Sequence, residues 1–133
     1  MRFLEFIKKH ALIAPGERVL LAVSGGVDSM VMLELFHRSE ISCGVAHCNF
    51  NLRAEASDHD EALVRSRAPE LQLPFFNKKF KTTEYATQHG VSIQMAARAL
   101  RYEWFNGLCE SEGFDKLATA HHLDDSLETV IHN

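Results

Sequence analysis

The first candidate functional motif in the sequence is a short run, Ser24-Gly25-Gly26-Val27-Asp28-Ser29. The run follows residues 18–23, an apolar stretch typical of a buried strand, and precedes helical periodicity from Met30 onward. At such a junction the backbone N–H groups and the helix dipole can bind an anion, because glycine lets the backbone come close. Ser24 and Ser29 add hydroxyl donors for phosphate oxygens. The sequence therefore predicts a loop that binds the phosphates of a nucleotide.

Asp28 stands within this loop, although its negative charge repels phosphate. A carboxylate at this position makes sense as a Mg²⁺ ligand, since the metal would neutralise a leaving pyrophosphate. The chain contains no G-x-x-x-x-G-K-[ST] motif, which excludes a γ-phosphate-transferring P-loop. The alternative is a plain glycine turn with Asp28 favouring the helix start. The position between strand and helix favours the functional interpretation.

The elements that must position this loop alternate between strands and helices. Strands are predicted over residues 18–23, 42–47, 75–80 and 116–119. Helices are predicted over residues 3–11, 30–37, 55–67, 92–112 and 123–133, with one helical turn inside the connection 81–90. This rhythm predicts an α/β fold, a Rossmann-like parallel sheet with helices on both faces.

Composition narrows the class of protein. The 133 residues, 46% of them hydrophobic and 24% charged, suit one soluble domain, and we expect no membrane span or secretory signal. Three cysteines without a C-x-x-C pair argue against a zinc site or a disulfide framework and favour a reducing cytoplasm. A net charge of −4 predicts weak tRNA or other nucleic-acid binding by this chain alone. The last predicted helix has no C-terminal cap, so we expect the chain to be a fragment of a longer protein.

The motif SGGVDS resembles the signature of the PP-loop ATP pyrophosphatases, which adenylate an oxygen of their substrate and release pyrophosphate. Three further segments narrow the resemblance to the tRNA(Ile)-lysidine synthetase family. They are residues 46–53 (AHCNFNLR), 97–102 (ARALRY) and 120–129 (AHHLDDSLET). The likeness runs from about residue 20 to the last residue. The chain has Phe50 where that family usually has His, and Ser126 where it often has Gln.

This resemblance implies that residues 1–133 are a PP-loop ATP-binding catalytic domain. The implied substrates are ATP, L-lysine and an isoleucine tRNA with a CAU anticodon, with Mg²⁺ as cofactor. The enzyme would be a ligase that adenylates the wobble cytidine and joins lysine to it. The predicted ATP-binding residues are Ser24, Gly25, Gly26, Val27, Asp28, Ser29, His47, Asn49 and His121. His47 and Asn49 are candidates for the edge of the adenine, with a plain loop role as the alternative.

Asp125 and Glu128 are spaced i, i+3, so on the predicted last helix both carboxylates share one face. Such a pair can hold a lysine ε-ammonium and help to deprotonate it, and the resemblance implies this role. Arg98 and Arg101 are also spaced i, i+3, and either guanidinium could stabilise charge on the α-phosphate. The resemblance favours Arg101. The alternatives are solvated acids in a first helical turn and surface salt bridges.

Two other functions stay open. The first is tRNA thiolation by a related PP-loop enzyme, although such enzymes commonly use paired cysteines that this chain lacks. The second is a nucleotide-binding sensor without turnover, which would have no need of two acids and two arginines around the loop.

Overall fold

The computed structural model describes residues 13–52, 54–122 and 126–131, and the side chains of residues 13–52 and 57–120. The predicted opening helix, residues 3–11, lies outside the described residues. In chain order the elements are β1 (Val19–Ala22), α1 (Val27–Arg38), β2 (Cys43–Asn49), α2 (Ala54–Glu70), β3 (Phe75–Lys79), α3 (Thr82–His89), α4 (Ile93–Glu112), β4 (Lys116–His122) and β5 (Ser126–Ile131). The α/β fold with a Rossmann-like parallel sheet is confirmed.

The five strands form one sheet in the order β3-β2-β1-β4-β5. The first four strands of this order are parallel, and β5 pairs antiparallel with β4. Ala22 at the end of β1 lies between Ala46 of β2 and Thr119 of β4. The carboxyl ends of these three strands therefore meet at one edge, where open α/β sheets bind their ligands.

The strands present alternate side chains to two cores, as the two-residue period of a strand requires. Leu21 and Val23 belong to a buried cluster with Met32 and Phe36 of α1 and Val64 of α2. On the other face, buried residues of the sheet, of α4 and of the connection after α4 pack together: Leu20, Ala46, Phe105, Cys109, Phe114 and Leu117. The sheet is therefore covered on both faces.

The boundaries of α4 were correctly predicted. The Ser92 hydroxyl accepts a hydrogen bond from the Met95 N–H at 3.1 Å, and Gly113 ends the helix in the left-handed conformation with φ 74°. The predicted apolar face of this helix is wrong in detail, since the buried residues are Ala96, Phe105 and Cys109. The predicted face was Ile93, Ala97, Leu100, Trp104 and Leu108. Part of it instead lines a groove beside α3, an eight-residue helix where one turn was expected.

The predicted last helix over residues 123–133 is wrong for residues 126–131, which form strand β5. Thr129, Val130 and Ile131 are β-branched, and such side chains favour strands over helices. Pairing with β4 also satisfies backbone groups along the outer side of that strand, which a short isolated helix could not do. The argument that Asp125 and Glu128 share a helical face therefore fails, because Glu128 lies on a strand and Asp125 lies outside the described residues.

Candidate nucleotide-binding site

The phosphate loop is organised around the hydroxyl of Ser29. Its Oγ accepts hydrogen bonds from the N–H groups of Ser24 and Gly25, both at 3.1 Å, and donates to the Gly26 carbonyl at 3.0 Å. The Ser24 hydroxyl lies 3.1 Å from the same oxygen and accepts the Gly26 N–H at 3.3 Å. The loop is therefore held in shape by its own serines.

Helix α1 starts directly after this loop, and its N-cap residue Gly26 makes no side-chain capping bond. The first-turn N–H groups and the positive end of the helix dipole thus face the loop without a competing side chain of the N-cap. Asp28 lies in that first turn. The helix N-terminus is thus available to an anion, whereas the N–H groups of Ser24, Gly25 and Gly26 already donate to the serine hydroxyls of the loop.

Gly25 is required by the local geometry. Its φ is +96°, and a Cβ built there would lie 2.8 Å from Cβ of Asp60 and 3.1 Å from its Cα and carbonyl oxygen. No other side chain fits between the loop and α2 without moving backbone. Gly26 has a φ of −74°, and a Cβ there would meet only the Ser24 hydroxyl at 3.5 Å.

A cavity of about 230 Å³ opens beside the loop, on the α4 face of the sheet edge. Its walls come from all the elements that meet at this edge: Ala22, Val23, Ser24, Ser29, Ala46, Cys48, Phe50, Arg101, Phe105, Thr119 and Ala120. The small side chains at the strand ends leave the space, and the two phenylalanines give it apolar, flat walls. Such a cavity suits a planar ring with a phosphate attached.

Arg101 reaches this cavity from α4, far along the chain from the loop. Its guanidinium lies over the rings of Tyr102 and Phe105, 5.4 Å and 5.8 Å from their centroids. Arg98 is exposed and lies 5.2 Å from the Tyr102 centroid, outside the cavity lining. The structure thus brings Arg101, and not Arg98, next to the loop serines.

His47 and Asn49 face the opposite side of the sheet from this cavity. His47 Nδ1 lies 2.8 Å from the Val23 carbonyl oxygen, and the Asn49 amide donates to Asp58 and Glu61 at 3.1 and 3.2 Å. Both residues are almost completely buried. The strand alternation instead places their neighbours Ala46, Cys48 and Phe50 in the cavity.

Thr119 is a cavity residue that the sequence analysis missed. It is 3% exposed, and its hydroxyl has no hydrogen-bond partner among the residues that the structure describes. Buried hydroxyl groups are normally paired, so an unpaired one that lines a cavity points to a polar group of a ligand. The only signal in the sequence was its position at the end of a strand, directly before the AHHLDD segment.

The metal assignment rests on Asp28 alone. Within the described residues, no group of three or more His, Cys, Asp or Glu side chains could hold a metal ion. Mg²⁺ in nucleotide sites is commonly held by one or two carboxylates together with the substrate phosphates, so a single acid beside the loop fits this type of site. Asp28 is partly exposed, which leaves its carboxylate accessible.

The three cysteines are free thiols. Burial raises the pKa of Cys43 to about 11. Burial also raises the pKa of Cys48 to about 12, although the positive charge of Arg101 acts in the opposite direction. A thiol with so high a pKa is a poor nucleophile at neutral pH, including the one in the cavity.

His121, Asp125 and Glu128 cannot be placed in this geometry. The first and last belong to strands β4 and β5, but their side chains lie outside the described part of the structure, as does all of Asp125. Their roles stay predictions.

Known proteins decide the family. The sequence model of the PP-loop domain (ATP_bind_3) matches residues 1–133. This chain belongs to the PP-loop domain family. The family is one of ATP-binding domains, which agrees with the loop, the cavity and Arg101.

The curated relatives carry one name. The chain is 43% identical over 132 residues to the tRNA(Ile)-lysidine synthase of Bacteroides thetaiotaomicron, covering 99% of this chain and 31% of that protein. It is 46% identical over 136 residues to the tRNA(Ile)-lysidine synthase of Chlorobaculum tepidum, covering 99% of this chain and 41% of the relative. For the enzyme of that name from Petrotoga mobilis the identity is 38% over 135 residues, with coverages of 98% and 43%. The chain thus spans less than half the length of these relatives.

No helix within the described ranges combines the length and the apolar character needed to cross a membrane.

Proposed function

We propose that this chain is the ATP-binding catalytic portion of a tRNA(Ile)-lysidine synthase, a ligase that joins lysine to the wobble cytidine of isoleucine tRNA. The observation that supports this most is the single cavity shared by the loop serines and Arg101. All the curated relatives named above are tRNA(Ile)-lysidine synthases.

In the proposed reaction, the C2 oxygen of the cytidine attacks the α-phosphorus of ATP, and pyrophosphate leaves. The lysine ε-amine then attacks C2, its proton passes to a base, and AMP leaves. The phosphate loop and the N-terminus of α1 would hold the phosphates, and Arg101 would stabilise negative charge on the α-phosphate. Mg²⁺, bound through Asp28 and the phosphates, would neutralise the leaving pyrophosphate.

Asp125 and Glu128 stay our candidates for the lysine ε-ammonium, although no shared helical face supports them. This assignment rests on the HHLDDSLE segment and its resemblance. A carboxylate here would hold the ammonium form and accept its proton before attack. His121 is proposed to line the nucleotide site on the same basis.

Thiolation is the weaker alternative. Cys43 and Cys48 are buried thiols with raised pKa values, and neither is suited to carry sulfur at neutral pH. A sensor without turnover could also use Arg101 to bind a nucleotide phosphate, but it would release no pyrophosphate in the test that follows.

The test measures pyrophosphate release with ATP, isoleucine tRNA and lysine, omitting one substrate at a time. We expect release to require tRNA and the lysine-dependent product to appear only with lysine. Pyrophosphate release without a lysine adduct when ATP, tRNA and lysine are all present would refute the ligase assignment and leave the ATP chemistry intact. Arg101→Ala should lower turnover by about 100-fold or more, as removal of an oxyanion-stabilising group does. Arg98→Ala is the matched control, with the same residue change on the same helix outside the cavity.

A further inference from the structure

A second and larger depression, of about 660 Å³, lies between the carboxyl end of β3 and helices α3 and α4. We call it the lysine groove. Its lining combines basic, aromatic and aliphatic side chains with two acids: Lys78, Lys79, Phe80, Lys81, Glu84, Tyr85, Gln88, Leu100, Glu103, Trp104, Gly107, Leu108 and Ser111. None of the residues assigned to ATP above belongs to it.

The groove concentrates positive charge on an acidic protein. The chain has a net charge of −4 and six lysines, and three of the six, Lys78, Lys79 and Lys81, line this groove. All three are exposed. Lys79 Nζ lies 3.4 Å from Asp58 Oδ1, and Lys78 Nζ lies 5.4 Å from the Phe80 centroid. Lys79 is paired in register with Asn49 and contacts Asp58 of α2, so its side chain lies on the other face of the sheet. Lys78 and Lys81 are therefore the lysines available to a phosphate in the groove.

Aromatic rings connect the groove to the nucleotide cavity. Phe50, which lines that cavity, stacks on Phe80 with centroids 5.6 Å apart. Phe80 in turn contacts Trp104 edge-on, with centroids 6.0 Å apart. Phe80 and Trp104 both line the lysine groove, and Tyr85 adds a further ring from α3. The row Phe50–Phe80–Trp104 therefore joins the two depressions.

Lysines beside accessible aromatic rings form the recognition chemistry of unpaired RNA. The cations contact phosphates, and the rings stack with splayed bases, whatever their sequence. In this groove Trp104 and Tyr85 are partly exposed, whereas Phe80 is buried beneath them. The lysines come from the β3 end, whereas Trp104 and the acids Glu84 and Glu103 come from the helices. The two acids keep phosphates away from the helical wall, so the backbone must follow the lysine side and the bases must face Trp104.

We infer that the lysine groove binds the unpaired nucleotides that flank the base to be modified, with their phosphates on Lys78 and Lys81 and a base against Trp104. This inference rests on the proposed function, because it takes the substrate to be RNA. The target base must reach the nucleotide cavity, and the aromatic row leads from that cavity directly into the groove. An acidic peptide would match the lysines but would not need this row.

Trp104 is the only tryptophan of the chain, so its fluorescence reports on the groove. The chain is titrated at low salt with a hairpin RNA that carries the isoleucine anticodon loop. A blunt duplex RNA of equal length and an acidic peptide serve as comparison ligands. We expect the hairpin to quench Trp104, and we expect neither the duplex nor the peptide to do so. Quenching by the peptide or equally by the duplex, or no quenching by the hairpin, overturns the inference.

Substitutions test the cations separately. Lys78→Gln and Lys81→Gln should each weaken hairpin binding several-fold and lower the slope of log affinity against log salt by about 0.7. Glu103→Gln should tighten binding. Arg38→Gln, an exposed basic residue at the end of α1, is the matched control and should change neither quantity. ATP affinity, measured for every variant, confirms that the fold is intact.

The two proposals fail differently. If the hairpin binds without quenching Trp104, and the lysine variants keep the salt slope of the unmodified chain, RNA binding by the lysine groove is refuted and the proposed function is not. If the unmodified protein shows no RNA-dependent pyrophosphate release, the proposed function is refuted, whatever the groove binds.

Discussion

Gly25→Ala should be the most destabilising small change in the phosphate loop. The new Cβ would lie 2.8 Å from Asp60 Cβ, and the backbone of Asp60 is only 3.1 Å away, so α2 itself must shift. Such overpacking costs about 1–3 kcal/mol. Holding alanine at φ +96° adds about 1–3 kcal/mol of backbone strain. We therefore expect the free energy of unfolding to fall by about 2–6 kcal/mol.

Gly26→Ala is the matched control, one residue away in the same loop. With φ −74° and its nearest contact at 3.5 Å, this position accepts a Cβ, and we expect a loss of at most about 1 kcal/mol, the scale of a poorer N-cap. Urea unfolding of both variants and the unmodified chain gives the two differences, provided that the slope against urea is unchanged. Equal stability losses for the two variants would refute the close approach of the loop to α2.

Three further predictions concern Thr119, Cys43 and Glu34. In urea unfolding, the nucleotide-free Thr119→Val variant should be as stable as the unmodified chain or about 1 kcal/mol more stable, because an unpaired buried hydroxyl is removed. In titration calorimetry it should bind ATP roughly tenfold more weakly. A variant that loses stability but binds ATP normally would contradict a ligand role for this hydroxyl. Burial raises the Cys43 pKa from 9.0 to about 11, so the protonated thiol contributes its full stability below pH 9, and this contribution is lost as the pH rises towards 11. The free energy of unfolding should therefore fall more steeply above pH 9 for the unmodified chain than for Cys43→Ala. A hydrogen bond from Arg67 lowers the Glu34 pKa below 4.5, so Glu34→Gln should cost about 1 kcal/mol at pH 7, and this difference should disappear only as the pH falls well below 4.5.

The sheet and its loop were predictable because their signals are local. The central strands β1 and β2 begin as short apolar runs because they are buried on both faces, and the Gly-Gly loop marks where the first strand ends. The capping signals of α4, Ser92 and Gly113, are also local and were correct. Such features depend on neighbours in the chain rather than on tertiary contacts.

The side of the sheet on which a residue lies was harder to predict. In β2, chemical type favoured His47 and Asn49, whereas the cavity is lined by the alternate residues Ala46 and Cys48. A strand turns neighbouring side chains to opposite faces, and only the position of α4 determines which face carries the cavity. That position is a tertiary fact, which the motif alone does not contain.

For the last segment, residues 126–131, the sequence supports a helix and a strand almost equally. Leu127, Val130 and Ile131 satisfy a helical spacing, and the same residues with Thr129 satisfy strand propensity. The pairing of β5 with β4 decides between them in this structure. β4 follows α4 and is far from β1 in sequence, so the sequence alone does not show which edge of β4 is left for β5 to pair with. That edge follows only from the order of the strands in the sheet.

The position of the cavity follows from side-chain size along the α4 face of the sheet. One level below the strand ends, Leu20 and Leu117 pack against Phe105 and Phe114, and Gly44 lies where a Cβ would come within 2.6 Å of the Phe114 ring. At the strand ends, Ala22, Ala46 and Thr119 lie side by side and are too small to fill the space beneath α4. Arg101 is one helical turn before the buried Phe105, so anchoring of that ring carries the guanidinium over the unfilled space. Small residues at the ends of three adjacent strands, followed by an arginine four residues before a buried aromatic, therefore bring a positive charge to the phosphate loop.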